Sequence, residues 1–398
     1  MSTAFQRDVV VVGGCGHVGL PLGLAFASQG LSVALFDINE TAVKTVSSGQ
    51  MPFEEAGAAE VLARVLDRSL TVSSDVDVVS GAESVVVVVG TPVDEHLNPD
   101  PTAVCTAVRN LGANLRDGQL LVLRSTVYPG TTALVEGVVR SFGLEIEVVF
   151  CPERIAEGKA MSELFELPQI VSGRSPAAIA RAEALFGHVA SKLVPLSPEE
   201  AELAKLFTNA WRYIKFATAN QLFMMANNFQ LDYERIRQAL IFDYPRAADL
   251  PAAGFTAGPC LLKDTMQLAA FMDNNFVLGH SAMLVNEGLP LYVVSRLEER
   301  CDLTNATVGI LGMAFKGESD DIRSSLSYKL KHILRFKARE VLCHDPYVST
   351  DPDLQPIETL LDRCGVLIIA APHEAYRSLR TTVPIVDIWG ITGRGTRV

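Results

Sequence analysis

The chain has 398 residues, 48% of them apolar and 20% charged, which is too long for a single compact core and predicts two or three domains. A formal net charge of −12 weighs against a nucleic-acid or anionic-membrane partner and leaves any anionic ligand to locally placed donors. Seven scattered cysteines with no C-x-x-C pair suit reduced thiols better than a disulfide framework or a zinc site, so no metal is expected. The short polar start Met1–Asp8 carries no signal-peptide pattern and no apolar run approaches the length of a membrane span. A cytoplasmic protein is the expectation.

The first half alternates short β-branched runs with helical stretches, the pattern of a parallel sheet with crossover helices. Strands are predicted at Val9–Val12, Val33–Asp37, Ser84–Val89, Leu120–Arg124, Glu147–Cys151 and Gln169–Ser172. From Glu199 to Tyr244 there is no glycine or proline. Ser197-Pro198-Glu199-Glu200 reads as a capped helix start, and the apolar spacing predicts one long helix to about Asn227 and a second over Asp232–Phe242. This long helix would be a spine between domains or a dimer face. Alternation then returns: strands at Thr307–Leu311, Glu340–His344, Val366–Ala370 and Ile385–Ile388, with a helix over Ser324–Phe336. The predicted class is α/β: two doubly wound Rossmann-like domains, 1–196 and 302–398, joined by a helical domain, 197–301.

Strand Val9–Val12 runs into Gly14, Gly16 and Gly19, a G-x-G-x-x-G pattern with Cys15, His17 and Val18 between. The first glycine permits the tight turn, the second lets a pyrophosphate approach the backbone, and the third lets the helix pack close to the strand. Amides at the helix start would face the phosphates. The next strand ends at Asp37, whose carboxylate can accept from adenosine ribose hydroxyls and would repel a 2′-phosphate. NAD is therefore expected rather than NADP. A glycine turn without ligand is the competing reading, and the complete strand–loop–helix–strand unit favours the cofactor. Cys15 and His17 are expected to be passengers in the loop, with His17 no metal ligand.

Ligands in doubly wound sheets lie at the carboxyl ends of strands. Three later strands end in Gly90-Thr91-Pro92, in Ser125-Thr126-Val127-Tyr128-Pro129-Gly130, and in Cys151-Pro152-Glu153-Arg154. These supply hydroxyls and one carboxylate; ordinary turns with capping residues are the alternative. On the long helix Lys205 and Asn209 lie four apart and share a face. They can hold a reacting alkoxide, the lysine by charge and the asparagine as a neutral donor, or be a solvated lysine and a mid-helix asparagine. Pattern alone leaves both open. The glycine-rich loop from Gly254 delivers Cys260 to a predicted helix start, next to Lys263 and Asp264. A cysteine is by type a small hydrophobe; this context instead favours a nucleophilic thiolate.

Taken in order, these segments, with Gly312-Met313-Ala314-Phe315-Lys316 and Asp320-Asp321-Ile322-Arg323, resemble the UDP-glucose/GDP-mannose dehydrogenase family of nucleotide-sugar 6-dehydrogenases, collinearly from about Val9 to Trp389. The resemblance implies an NAD domain, a helical dimer-forming domain and a nucleotide-sugar domain. It implies four-electron oxidation of a sugar C6 alcohol to the carboxylate by two NAD. It makes Cys260 the nucleophile flanked by Lys205, Asn209 and Asp264, with Glu153 and Thr126 handling protons and water. Gly14, Gly16, His17, Val18, Gly19, Asp37, Thr91, Pro92, Ser125, Thr126, Lys263 and Arg323 would bind cofactor. The nucleotide sugar, a UDP-hexose or UDP-N-acetylhexosamine, would meet Glu153, Arg154, Ile155, Lys205, Asn209, Phe255, Gly258, Cys260 and Lys316. Arg246 resembles an arginine that reaches a neighbouring subunit's sugar, in a homodimer. The chain departs from the family at Gly258-Pro259, where two glycines are usual, at Gln221, where a glutamate often follows the asparagine, and in the short loop 246–255. A one-step hydroxyacid-type dehydrogenase and a non-catalytic nucleotide-binding protein are the competing functions; neither has a use for Cys260.

Overall fold

A computed structural model describes residues 5–91, 100 and 102–398, and the chain divides into two compact units, 1–207 and 208–398. The first unit opens with β1 (Arg7–Val12), α1 (Gly19–Ser28), β2 (Val33–Phe36), α2 (Glu40–Ser47), α3 (Ala58–Val65), β3 (Leu70–Ser73) and β4 (Ala82–Val87). It continues with α4 (Thr102–Leu111), β5 (Leu120–Leu123), α5 (Thr131–Ser141), β6 (Glu147–Phe150), α6 (Ala160–Glu166), β7 (Gln169–Ser172), α7 (Pro176–Phe186), β8 (Leu193–Leu196) and the start of α8 (Pro198–Asn228).

Six of these strands form an all-parallel sheet in the order β3-β2-β1-β4-β5-β6. Order reverses between β1 and β4, which places a ligand-binding crevice at their carboxyl ends. The valine runs follow from burial on both faces. Val9 and Val11 pack into one core with α1 and α7 residues such as Leu24 and Phe186. Val10 and Val12 point the other way, into a core with Val108 and Val135 of α4 and α5. The predicted strand Gln169–Ser172 forms but pairs with β8 in a separate two-stranded sheet. Four predicted strands end one or two residues early, so that Asp37, Val88, Arg124 and Cys151 belong to the loops beyond the sheet.

Helix α8 starts as its sequence predicts. Ser197 Oγ accepts from Glu200 N (3.4 Å), and Glu200 Oε2 accepts from Ser197 N and Oγ (both 2.8 Å), a reciprocal capping box. The helix spans 31 residues.

The second unit continues α8 and adds α9 (Tyr233–Ile241), α10 (Leu261–Phe271), α11 (Val277–Glu298), β9 (Thr307–Leu311), α12 (Leu326–Arg335), β10 (Glu340–His344), α13 (Ile357–Arg363), β11 (Val366–Ile369), α14 (Glu374–Arg377) and β12 (Ile385–Val386). Its four strands are parallel in the order β10-β9-β11-β12, again doubly wound. Leu289 and Val293 of α11 share a core with Leu330 of α12 and Ile310 of β9. The sequence gives no helical stripe for α11, because Gly288 and Pro290 lie inside it and apolar residues run round it.

Candidate active site

Within the first unit, the cofactor loop is shaped by four glycines rather than three. Gly13 (φ +78°) makes the turn, which corrects the expectation that Gly14 does so. A Cβ on Gly13 would lie 1.9 Å from Val88 O. Gly14 is excluded from bearing a side chain by packing: its Cβ would be 2.7 Å from Val11 O and 2.8 Å from Leu35 Cβ. Gly19 fits α1 against the loop, its Cβ position being 2.2 Å from Gly13 O. Gly16 differs, since a Cβ there meets only Gly13 O at 3.7 Å. The space is open on the side where a pyrophosphate would approach, and α1 begins without a side-chain cap. Asp37 is half-buried; it accepts from Cys15 N (Oδ2, 3.0 Å) and Asn39 N (Oδ1, 3.0 Å). These contacts fix the carboxylate just past β2, where a ribose would meet it. The loop therefore fits NAD.

Cys15 and His17 lie between these glycines. Burial and the charge of Asp37 push the Cys15 thiol up to about 12, keeping it protonated. His17 stacks on Phe53 with ring centroids 4.0 Å apart, beside the half-buried Val18. No cluster of metal-ligating side chains occurs among the described residues.

Gly16→Ala adds a methyl that the protein accommodates but a bound pyrophosphate does not. Its unfolding free energy, from urea titration, should stay within about 1 kcal/mol of wild type. NAD affinity by titration calorimetry should fall at least about tenfold. An unchanged affinity would contradict the placement of the cofactor.

The strand ends form one hydrogen-bonded group. Ser125 Oγ accepts from Val89 N (2.8 Å) and donates to Val89 O (2.7 Å), stitching the ends of β4 and β5. Thr126 follows, half-buried, as does Thr91; Pro92 lies outside the described residues. Glu153 is 8% exposed. One carboxylate oxygen pairs with the Arg124 guanidinium. The other accepts from the amides of Arg154 (2.7 Å) and Ile155 (2.9 Å). Arg124 is itself fully buried, donates to Cys151 O and Gln169 Oε1 (both 3.0 Å) and lies 5.0 Å over the Phe186 ring. Arg154 donates a side-chain bond to Pro168 O.

Glu202, one turn before Lys205 on α8, accepts from Gly130 N (2.6 Å), Thr132 N (2.7 Å) and Thr132 Oγ1 (2.6 Å). It caps α5 and ties the segment bearing Ser125 and Thr126 to the start of α8. Lys205 is buried, 9% exposed. The sequence pattern does not single out Arg124 or Glu202. For Arg124, a charged residue at the end of a predicted buried strand was the available signal; the helix pattern gives none for Glu202.

In the second unit, Cys260 is exposed and stands at the N-cap of α10, where the helix end favours a negative sulfur. Asp264, one turn on, is fully buried; its amide donates to Cys260 O (2.8 Å). Its Oδ2 accepts from Asn209 Nδ2 at 2.6 Å, and Oδ1 lies 3.5 Å from Lys263 Nζ. The structure thus brings Asn209, Asp264, Lys263 and the Cys260 backbone together. Asp264 orients the Asn209 amide, leaving its second N–H for a ligand.

The loop before the cysteine is anchored at both ends. Asn220, fully buried, accepts from Gly254 N (2.9 Å) and donates to Gly254 O (3.1 Å) and to Asn286 Oδ1 (2.9 Å). Gly258 has φ +105°, and its Cβ would meet the Phe315 ring at 2.6 Å, so no other residue serves there. Phe255 is buried in the core. Lys316 follows Phe315, its ammonium 5.6 Å from that ring centroid. Arg323 is held by Asp321 through Nε (2.9 Å) and Nη2 (2.5 Å). Arg246 lies on an exposed turn, donating to Tyr244 Oη at 3.1 Å.

At the end of β10, Asp345 is pulled down to about 2. Burial alone would raise it. Hydrogen bonds from the His373 ring and from the amides of Ala314 and Tyr347 outweigh burial. A carboxylate depressed from an ordinary 3.8 contributes stability above about pH 4 that is lost as pH falls through the folded value. The full effect is about 2 kcal/mol, of which about 1 kcal/mol disappears between pH 5 and pH 3. The stability gap between wild type and Asp345→Asn, from urea unfolding at each pH, should narrow by that amount. A gap that widens toward pH 3 would contradict the assignment.

Three profiles of the UDP-glucose/GDP-mannose dehydrogenase family match in order: the NAD binding domain at residues 8–190, the central domain at 199–287 and the UDP binding domain at 309–394. The chain is similar to a UDP-N-acetyl-D-mannosamine dehydrogenase of Pyrococcus horikoshii, 29% identical over 93% of this chain and 90% of that protein. It is equally similar to a UDP-glucose 6-dehydrogenase, AglM, of Haloferax volcanii, 29% identical over 92% and 91%. A solved UDP-glucose dehydrogenase of Pyrobaculum islandicum superposes with a TM-score of 0.88 at 27% identity, over 97% of this chain and 95% of that one. The fold, the glycine loop and the collinear matches together place the chain in the UDP-glucose/GDP-mannose dehydrogenase family, with NAD as its cofactor.

Proposed function

We propose that this protein oxidises the C6 alcohol of a UDP-sugar, a UDP-hexose or UDP-N-acetylhexosamine, to the uronic acid. The observation that carries the reading is Cys260 exposed at the start of α10, with Asp264 beneath it fixing Asn209. A hydride-transfer enzyme that stops at one step has no need of such a thiol.

When bound, NAD supplies a two-electron acceptor, and two are consumed per acid. The chain's own residues do the rest. Lys205 by charge and Asn209 by its free N–H stabilise the alkoxide formed as the alcohol loses its proton. The first oxidation leaves an aldehyde. The Cys260 thiolate bonds to its carbonyl carbon, giving a thiohemiacetal oxyanion in the same two-residue cradle. Oxidation of that adduct leaves a thioester on Cys260, which water cleaves to the carboxylate and free thiol. Glu153, held on Arg124, receives that water's proton, and Thr126 orients the water. Covalent capture turns one difficult oxidation into two manageable steps.

The sequence segments divide as 1–196 for the cofactor, 197–301 for dimerisation and 302–398 for the nucleotide sugar. Trp211 and Met225 of α8, Phe229 just past its end and Leu284 of α11 are all more than half exposed, an apolar surface that suits a second copy of the chain. No helix among the described residues is long and apolar enough to cross a membrane. We place the homodimer in the cytoplasm, supplying uronic-acid donors to polysaccharide synthesis.

The test is a panel of UDP-glucose, UDP-N-acetylglucosamine, UDP-N-acetylmannosamine and GDP-mannose, read by NADH absorbance and product mass. One UDP-sugar should yield a product 14 mass units heavier, about the change expected when CH2OH becomes COOH. NADH formation with none of them would overturn the proposal.

A further inference from the structure

The second sheet repeats the first at its loop ends. In the first, Gly13 N donates to Phe36 O (2.9 Å) and Cys15 N to Asp37 (3.0 Å). In the second, Gly312 N donates to His344 O (2.8 Å), and Met313 N and Ala314 N donate to Asp345 Oδ2 at 2.6 and 2.9 Å. Gly13 and Gly312 both have positive φ, +78° and +94°. Each aspartate immediately follows the neighbouring strand.

The aspartates have opposite fates. Asp37 remains half-exposed, able to take a ribose. The Asp345 carboxylate is fully buried. Besides the two loop amides, it accepts from Tyr347 N (2.9 Å) and Val348 N (3.1 Å), and the ring of His373 closes over it, Nε2 at 3.0 Å from Oδ2. The ring's tautomer follows from its other contact. Glu318 N donates to His373 Nδ1 at 3.0 Å, so Nδ1 carries a lone pair and the proton sits on Nε2, pointing at Asp345.

His373 thereby joins the ends of three strands: Asp345 after β10, Glu318 in the loop after β9, and itself after β11. The same loop is gripped elsewhere. Glu318, at φ +54°, accepts from Tyr347 Oη (2.5 Å) and Glu374 N (2.7 Å). A Cβ on Gly317 would lie 2.5 Å from Pro372 O. Lys316 sits inside this grip, with Phe315 on one side packed against Gly258 and Gly317 on the other.

We propose that His373 is a positioning residue for the nucleotide-sugar site: its ring, bridging Asp345 and Glu318 N, fixes the segment Gly312–Glu318 and so presents Lys316 to the diphosphate of the UDP-sugar. An aspartate that binds a ribose in one doubly wound unit has been converted, in the other, into the internal anchor of a phosphate-binding loop. The inference rests on the proposed function, in that Lys316 must meet the nucleotide sugar.

The experiment compares wild type, His373→Phe, His373→Asn and Lys316→Ala. Readouts are kcat, KM for the UDP-sugar, and calorimetric Kd for UDP and for NAD. Loss of the ring contacts in His373→Phe should raise the UDP-sugar KM and the UDP Kd at least tenfold, change kcat less than threefold and leave the NAD Kd within twofold. His373→Asn, whose side-chain oxygen can still accept from Glu318 N, should recover part of the UDP affinity and gives the same comparison if the phenylalanine variant does not fold. A fall in kcat with KM and UDP Kd unchanged, or equal losses of UDP and NAD binding, would overturn the positioning role. If Lys316→Ala weakens UDP binding while both His373 variants match wild type, the anchor fails and the site stands. If Lys316→Ala also matches wild type, the reading of the site fails and the anchor with it.

Discussion

Cys260→Ala should end acid production, lowering its rate by about 10³-fold or more, while NAD binds with unchanged affinity. The reason lies in the order of bond changes. Alcohol oxidation needs an oxyanion cradle and a hydride acceptor, and the variant keeps both. Aldehyde oxidation needs a nucleophile on the carbonyl carbon first, and the variant has lost it. Its turnover should therefore stop at the aldehyde, with no more than one NADH per sugar. Because Cys260 lies on the exposed start of α10 rather than in a core, the substitution should leave the fold intact. Calorimetry with NAD and product mass spectrometry check the two halves of the expectation. Wild-type amounts of acid from the variant would rule out the covalent route.

Arg124→Met should cost more stability than any other single change at the strand ends. Arg124 and Glu153 form an ion pair whose side chains are 0% and 11% exposed. Removing the cation strands a buried carboxylate, at about 3–5 kcal/mol. For a unit of this size that corresponds to a Tm lower by roughly 10 °C. The companion substitution separates this from simple packing loss. With Glu153→Gln added, no charge remains to be buried, and most of the lost stability should return. A double variant no more stable than Arg124→Met would show that the guanidinium acts by filling space under Phe186 and not by holding the carboxylate.

The parts of the fold that could be read in advance were those where local and global preferences agree. The valine runs of β1 and β4 are apolar at every position because both faces are covered, and the capping box at Ser197 announced α8 to within a residue. Strand β3 and helix α11 escaped. Leu70–Ser73 is a short edge strand with one fully buried residue, too little pattern to separate from a loop. Helix α11 carries Pro290, which ordinarily argues for a break.

The site divided along similar lines. Residues proposed to act through their own chemistry, such as Cys260, Lys205 and Asp37, stand out by type and place. Residues that act by holding others do not. Asn220 and Asn286 read as mid-helix asparagines until the structure shows their amides paired with each other, Asn220 also with Gly254 and Asn286 with Tyr213 O. His373 lies between strands and has no periodic neighbour to mark it. Their partners are distant in sequence, 34 residues for Asn220 and Gly254 and 55 for Glu318 and His373, and only the folded chain brings them together.

The central claim is that one sugar carbon is oxidised twice before release. The most direct measurement is the ratio of NADH formed to UDP-sugar consumed, taken to completion with limiting sugar and excess NAD. Conversion of an alcohol to a carboxylate releases four electrons, so the account predicts two NADH for each sugar and no aldehyde in solution. A ratio of one, with the aldehyde as product, would contradict it.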